Sequence, residues 1–262
     1  MRAGLGLGLG SGGGSLLLPE TRAYIAAMEI KPTANQAKAI NARVKALIAG
    51  GVWPLFDQLL FYDIHDATAA LIDAKVPTRS ATNNGCAHTA YNGYLGSAVV
   101  LDNKYIDSGI RLDQFASGRN QDLSIFYWSN TNNTTGDVVV GVIGANGIYV
   151  RVIPRAIANT LRTQICGGTL SYSLTGTNHF VIISRDGSNV SLYVNGVLVQ
   201  TQEEAGGDMP TTHNVWYLAV NNAGTIQLPS NKQIRLCGIA KAMTESQALS
   251  FYNAILDNPV EA

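Results

Sequence analysis

The stretch R-D-G-S-N-V-S-L-Y-V-N-G-V-L-V, residues 185–199, alternates turn residues with short apolar runs. Asp186-Gly187 and Asn195-Gly196 separate segments in which apolar side chains recur at every second position. Asn-Gly and Asp-Gly supply the positive φ that two-residue hairpin turns require. Together with the apolar run Phe180–Ile183, the stretch predicts an antiparallel meander, the unit from which β-sandwiches are built.

The same pattern continues across residues 76–262. Short apolar segments are separated by Asn, Gly and Ser turns with no helices between them, which argues against a parallel α/β sheet. Thr244 and Gln247 form the capping box of a final helix, with an apolar face predicted at Leu249, Tyr252, Ile255 and Leu256. The predicted strands are Val99–Leu101, Tyr105–Asp107, Leu123–Trp128, Val138–Ile143, Ile148–Ile153, Phe180–Ser184, Val190–Val194, Val197–Gln202, Val215–Val220 and Ile234–Ala240.

Two other segments precede this predicted sandwich. Residues 18–75 predict a small helical module, with a capping box at Thr33–Gln36 and a further helix start at Asp66. Residues 1–17 are rich in Gly, and their Gly-Leu alternation places three leucines on one face of an extended chain. We expect an anchoring or assembly arm there, with a flexible tail as the alternative; its contact residues would be Leu5, Leu7 and Leu9.

Composition excludes several classes of function. The chain has 262 residues, 18 basic and 18 acidic, and only 14% are charged, so no basic surface is available for nucleic acid. No apolar run approaches the roughly 20 residues of a membrane-spanning helix. The three cysteines have no metal-ligand spacing and are predicted to be small core residues. The N-terminus lacks the apolar stretch of a signal peptide, so we expect synthesis in the cytoplasm.

Catalytic patterns are missing as well. Glycoside hydrolysis needs two carboxylates that face one sugar, and a strand can supply them at alternate positions. The six glutamates do not show that spacing, and the four histidines and the serines fall in no recognised catalytic frame. We therefore expect no enzymatic activity.

Two parts of the chain resemble known families. The R-D-G, Y-V-N-G and V-L-V phrases of residues 185–199, with Tyr105–Gly109, resemble the LamG/concanavalin A-like jelly-roll family. Within residues 20–75, Arg22–Ile25, Leu47–Trp53 and His65–Ala67 are similar to a helical module that precedes LamG-like domains in phage and prophage tail or spike proteins. The usual closing phrase of that module is replaced by Leu71–Lys75, which leaves its exit geometry open.

The resemblance implies a mainly β, antiparallel jelly-roll sandwich that binds sugars. Sugar rings stack on aromatic faces, and amide or carboxylate groups hydrogen-bond their hydroxyls. An aromatic strand end followed by a polar loop offers such groups, although an ordinary hairpin loop with Trp128 in the core would show the same pattern. A second pair, Trp216 and Tyr217, is more typical of core residues. The glycan-contact candidates are Tyr127, Trp128, Asn130, Asn132 and Asp137.

The implied protein is a virion-associated fibre or spike of a tailed phage, made in the bacterial cytoplasm and displayed on the virion surface. Its expected partners are host surface polysaccharide, other virion proteins bound through the arm, and further copies of itself in a trimer or larger oligomer. The alternatives are a structural connector without sugar binding and a polysaccharide-degrading spike. Some LamG-type domains bind calcium, but the spacing of Asp102, Asp113 and Asp137 selects no site, so no cofactor is predicted.

Overall fold

The computed structural model describes residues 16–115, 121–131, 137–144, 147–157, 159–176, 178–205 and 207–261. The predicted arm, with Leu5, Leu7 and Leu9, lies almost entirely outside these residues. The helices are α1 (Pro19–Ala27), α2 (Ala34–Ala49), α3 (Ala67–Ala70) and α4 (Glu245–Leu256). The strands are β1 (Phe56–Phe61), β2 (Thr82–Asn84), β3 (Ala87–Thr89), β4 (Gly93–Leu95), β5 (Tyr105–Arg111), β6 (Asp122–Ser129), β7 (Val140–Ile143), β8 (Tyr149–Ile157), β9 (Thr160–Ile165), β10 (Gly168–Ser173), β11 (His179–Asp186), β12 (Asn189–Val194), β13 (Val197–Glu203), β14 (Asn214–Tyr217), β15 (Val220–Asn222), β16 (Thr225–Gln227) and β17 (Gln233–Ala240).

Two sheets pack face to face, and the predicted antiparallel sandwich is confirmed. The eight-stranded sheet has the order β13-β12-β11-β6-β17-β4-β3, and β1 also pairs with β17. The nine-stranded sheet has the order β10-β9-β8-β7-β14-β5-β2, and β15 pairs with both β7 and β16. One continuous cluster of buried apolar side chains fills the space between the sheets and extends under the helices.

The predicted meander is strands β11, β12 and β13. Its second turn is Asn195-Gly196, where both residues have positive φ, 51° and 78°. Its first turn lies at Gly187-Ser188, because Asp186 still pairs with Asn189 across the two strands. The turn residues therefore set the strand order as predicted, with the first turn one residue further along the chain.

Strand β1 lies inside the segment predicted to be a helical module, so that part of the prediction is wrong. Its residues pair antiparallel with β17, from Phe56 with Ala240 to Phe61 with Leu236. Gln58 of β1 links the two sheets, because its side chain accepts a hydrogen bond from Tyr217 Oη at 2.7 Å and donates one to the carbonyl of Ser108 at 3.0 Å. The helical module and the sandwich thus share a core.

The predicted strand Val99–Leu101 is also wrong. Residues Val100–Asp102 form a turn of 3-10 helix that ends at Asn103, where φ is 49°. The Ser97 hydroxyl donates to the Asp102 carboxylate and accepts from the Val99 N–H, so local side-chain contacts stabilise the turn. The tip is apolar and exposed, with Leu101 94% accessible.

The helices cover the outer face of the eight-stranded sheet. The α4 ring of Phe251 packs edge-on against Phe126 and Phe180, with centroids 4.9 and 4.8 Å apart. Both predicted capping boxes, at Thr33 and Thr244, are confirmed. The predicted apolar face of α4 is wrong in part, since Leu249 and Leu256 are exposed and Ala248, Phe251, Ala254 and Ile255 are buried. In the described part of the chain, no helix has the length and apolarity to cross a membrane.

A buried ion pair fixes the helices on the sandwich. Arg43 of α2 donates to both carboxylate oxygens of Asp63, at 2.8 and 3.0 Å, and neither side chain is accessible to solvent. Arg43 Nε also donates to the carbonyl of Asn258 beyond α4, at 3.1 Å. Asp63 lies two residues beyond the end of β1, and its carboxylate is 3.7 Å from the guanidinium of Arg235 on β17. The ion pair of Arg43 and Asp63 therefore connects α2, the C-terminal segment and the eight-stranded sheet.

We expect Asp63→Asn to lower the free energy of unfolding by about 3–5 kcal/mol, because it leaves the Arg43 cation buried without its counter-charge. The double variant Arg43→Met with Asp63→Asn should recover part of that loss, since the unpaired cation is then gone. Urea unfolding followed by circular dichroism measures the double variant and both single variants, Asp63→Asn and Arg43→Met. A double variant as unstable as the sum of its single changes would show that the pair is not coupled.

Candidate functional site

The aromatic residues predicted to contact glycans are buried. Tyr127 and Trp128 are 1% and 6% exposed. Trp128 Nε1 donates to the side-chain oxygen of Asn178, and the guanidinium of Arg235 lies over the indole, 4.5 Å from its centroid. The ring is held by these neighbours at one end of the helix-covered face, so it presents no open stacking surface.

The polar glycan-contact candidates that follow Trp128 in the sequence contact different neighbours. The backbone N–H of Asn130 donates to the carbonyl of Gln233 at 3.4 Å. Asp137 is buried, and its carboxylate accepts from the backbone N–H of Asn231 at 3.3 Å. Asn132 lies outside the described residues. The structure therefore does not combine these groups with an exposed aromatic ring.

The second aromatic pair, Trp216 and Tyr217, is buried as well. Trp216 stacks on Tyr105, with ring centroids 3.8 Å apart and planes at 19°. Trp216 packs with Ala219 and Ile226 in a small apolar cluster on the outer face of the nine-stranded sheet. Tyr217 is in the main core.

Loop carboxylates form no metal centre in the described part of the chain. Asp102 binds Ser97, and Asp113 forms an ion pair with Arg111 at 3.1 Å. No group of three or more His, Cys, Asp or Glu side chains among the described residues is arranged to hold a metal ion.

An open depression lies on the nine-stranded sheet, near the end where the β7–β8 and β9–β10 turns meet. Its volume is about 250 Å³. Glycines at both turns keep backbone within reach of a ligand, and a side chain added at Gly147 would meet nothing within 4 Å. The lining residues are Gly147, Ile148, Tyr149, Gln164 and Gly167.

A chain of polar contacts crosses β8, β9 and β10 beside this depression. Arg151 pairs with Gln164, and Gln164 with Thr169, in the strand register. Arg151 Nε donates to the Gln164 side-chain oxygen, and Gln164 Nε2 donates to Thr169 Oγ1 at 3.2 Å. The guanidinium of Arg151 also covers one face of the Tyr149 ring, 4.1 Å from its centroid, and the ring packs against the apolar cluster that includes Ile153. Tyr149 therefore lines the depression as a supported, half-buried ring and not as an open stacking face. The register thus places a ring, a guanidinium, an amide and a hydroxyl side by side.

Arg151 is a half-buried cation. Burial lowers the pKa of its guanidinium, and repulsion from Arg162 acts in the same direction, while Tyr149 opposes both. The group is still a cation at neutral pH, because a guanidinium is not deprotonated in proteins. Among the described residues, no carboxylate lies within ion-pair distance of Arg151 or Arg162.

The R-D-G phrase holds one wall of the depression. Arg185 is fully buried and donates to the carbonyl of Cys166, at 3.1 Å, and to that of Glu204, at 2.9 Å. The turn Cys166-Gly167 has positive φ at both residues, 46° and 97°. A side chain of the eight-stranded sheet therefore fixes a turn of the nine-stranded sheet beside the site.

Sequence reasoning missed this group. The alternation in residues 149–153 does point Tyr149 and Arg151 away from the buried Val150 and Val152. Residues 160–173 were not predicted as strands, so nothing indicated that Gln164 would pair beside Arg151. What the sequence did not show was the register between β8 and β9, which places Gln164 beside Arg151.

Comparison with known proteins agrees with this fold. The family model of the concanavalin A-like lectin/glucanases superfamily matches residues 103–230. No curated protein matches the sequence. The fold is the LamG/concanavalin A-like sandwich with an N-terminal helical part, as the sequence resemblance implied.

Solved structures show the same similarity at low sequence identity. The receptor binding domain of botulinum neurotoxin C/D mosaic serotype is 15% identical, with 77% of this chain and 51% of that chain covered and a TM-score of 0.56. The binding domain of botulinum neurotoxin serotype D is 14% identical, with 77% of this chain and 52% of that chain covered and a TM-score of 0.55. A Trypanosoma rangeli sialidase mutant displaying trans-sialidase activity is 9% identical, with 82% of this chain and 38% of that chain covered and a TM-score of 0.55. The chain spans about half the length of these structures or less.

Trp128→Ala should lower the free energy of unfolding by about 3–5 kcal/mol, as expected for loss of a large buried ring. Trp128→Phe keeps most of the packing and should cost less. Equilibrium unfolding in urea measures both variants. Full stability of Trp128→Ala would mean that the indole is not part of the core.

The three thiols should be unreactive in the folded protein. Cys86, Cys166 and Cys237 are buried, and burial raises the pKa of both Cys86 and Cys166 to about 12. With that pKa, about one thiol in ten thousand is ionised at pH 8, and the thiolate is the reactive form. A chromogenic thiol reagent should label the protein only after urea unfolding. Rapid labelling of a thiol at pH 8 without urea would contradict this.

Proposed function

We propose that this protein is a non-catalytic glycan-binding component of a virion-associated fibre or spike, and that it binds host surface polysaccharide in the depression beside Tyr149. The observation that carries the proposal is an open depression on a concanavalin A-like sandwich, lined by the ring of Tyr149 and the amide of Gln164. The Arg151 guanidinium and the Thr169 hydroxyl are hydrogen-bonded to that amide beside the depression. Sugars are recognised by such planar polar groups beside an aromatic ring.

The site is shallow, so a single contact would be weak. Display of many copies on one particle multiplies weak contacts through effective concentration. The resemblance of residues 20–75 to a phage structural module supports display on a virion, and the Gly-Leu arm provides a segment for assembly with other virion proteins. A trimer or larger oligomer is part of the proposal.

A structural connector without sugar binding is the second candidate. The exposed apolar tip Val99–Leu101 favours it, since a 3-10 turn stabilised by Ser97 and Asp102 presents apolar side chains to solvent. Exposed apolar side chains held in a defined conformation are typical of protein contacts. The two candidates predict opposite results in a binding experiment.

The experiment is binding of the purified oligomer to an array of bacterial capsular and lipopolysaccharide glycans, with released reducing sugar assayed in parallel. We expect saturable binding without sugar release. Tyr149→Ala should weaken it about tenfold or more, about 1.4 kcal/mol, because the change removes a lining group of the depression and the ring that supports the Arg151 guanidinium.

Gln227→Ala is the control, because Gln227 is exposed on β16 and does not line the depression. Equal loss of binding in both variants would remove the assignment to this depression. Binding with sugar release would replace the proposal with a degrading spike. No binding by a correctly assembled oligomer would favour the connector.

A further inference from the structure

The outer face of β8 and β9 carries two arginines without a carboxylate partner. Arg151 and Arg162 lie on adjacent strands, and the charge of Arg162 acts on Arg151. Within the described residues, neither has a carboxylate at ion-pair distance. Arg151 contacts Tyr149 and Gln164, which line the depression, so its positive charge lies beside the depression in a chain whose formal net charge is zero. Arg162 lies further along β9 and does not line it.

Arg151 is held in one orientation with its outer edge unused. Its Nε binds Gln164, whose amide is in turn fixed by Thr169, and its plane rests on Tyr149. Its terminal NH groups make no hydrogen bond to any described residue. A planar guanidinium with two free parallel donors matches the two oxygens of a carboxylate.

We propose that the depression selects acidic glycans, with the carboxylate of a uronic acid or similar sugar paired to the terminal NH groups of Arg151. Arg162 adds longer-range attraction, and Tyr149 and Gln164 contact the sugar ring. This inference rests on the proposed function and specifies its ligand class. A half-buried cation pairs more strongly than an exposed one, because water screens it less.

The test uses matched ligands. A polysaccharide array with acidic and neutral members is followed by titration with polygalacturonate and with the same polymer after reduction of its carboxyl groups to alcohols. We expect acidic members to bind preferentially and carboxyl reduction to weaken binding about tenfold or more, as for loss of a charge-assisted pair. Raising the salt from about 50 to about 500 mM should weaken binding of the acidic form more than of the reduced one.

Arg151→Met should abolish the preference for the acidic polymer, while Arg151→Lys, which keeps the charge without the planar fork, should retain part of it. Arg22→Met is the control for net charge, since Arg22 is exposed on α1, and it should leave the preference intact. Circular dichroism confirms that each variant is folded.

The outcomes separate the two proposals. Strongest binding to neutral glycans, or binding unchanged by carboxyl reduction, would overturn the acidic ligand and leave glycan binding in place. A preference that survives in Arg151→Met would place acid recognition elsewhere and overturn this inference. Absence of binding to every member of the array would overturn the proposed function itself.

Discussion

A buried guanidinium without a carboxylate organises one end of the sandwich. Arg185 is removed from water, and its terminal NH groups donate, within the described residues, to the backbone carbonyls of Ile165, Cys166 and Glu204. Burial of a charge is costly unless hydrogen bonds replace its hydration. The cation is therefore compatible with the core only where these carbonyls converge, and that requirement positions the β9–β10 turn against the end of β13. The β9–β10 turn forms a wall of the depression, so the shape of the site depends on Arg185, a residue of the opposite sheet.

The two outer faces of the sandwich have different roles. The outer face of the eight-stranded sheet is covered by α4, and the rings of Phe126 and Phe180 pack beneath Phe251. The ion pair between Arg43 and Asp63 holds α2 in place over the same side. The nine-stranded sheet instead exposes polar side chains beside an open depression. A search for glycan contacts guided by aromatic residues alone therefore selects the covered face.

The features that the sequence predicted correctly are those determined by residues close together in the chain. The positive φ at Asn195-Gly196 and the capping boxes at Thr33 and Thr244 depend on residues a few positions apart, and all three were recognised. Strand β1 was missed because its residues are nearly all buried and show no alternation, and because it pairs with β17, far along the chain. The site was missed for the same reason: Arg151 and Gln164 become neighbours only through the register of β8 and β9.

Arg151 is half-buried and oriented but not neutralised by its contacts, and this arrangement calls for an explanation. Half-burial weakens its hydration, and the nearby Arg162 adds repulsion, so its charge does not favour the folded state. The contacts that it makes, one hydrogen bond to Gln164 and a stack on Tyr149, orient the guanidinium without neutralising it. A neutral side chain would fill the same space without that electrostatic cost. A cation that is oriented, and that has no carboxylate partner among the described residues, is what a site requires if an anionic ligand is to supply the counter-charge, since the ordering is complete before the ligand binds.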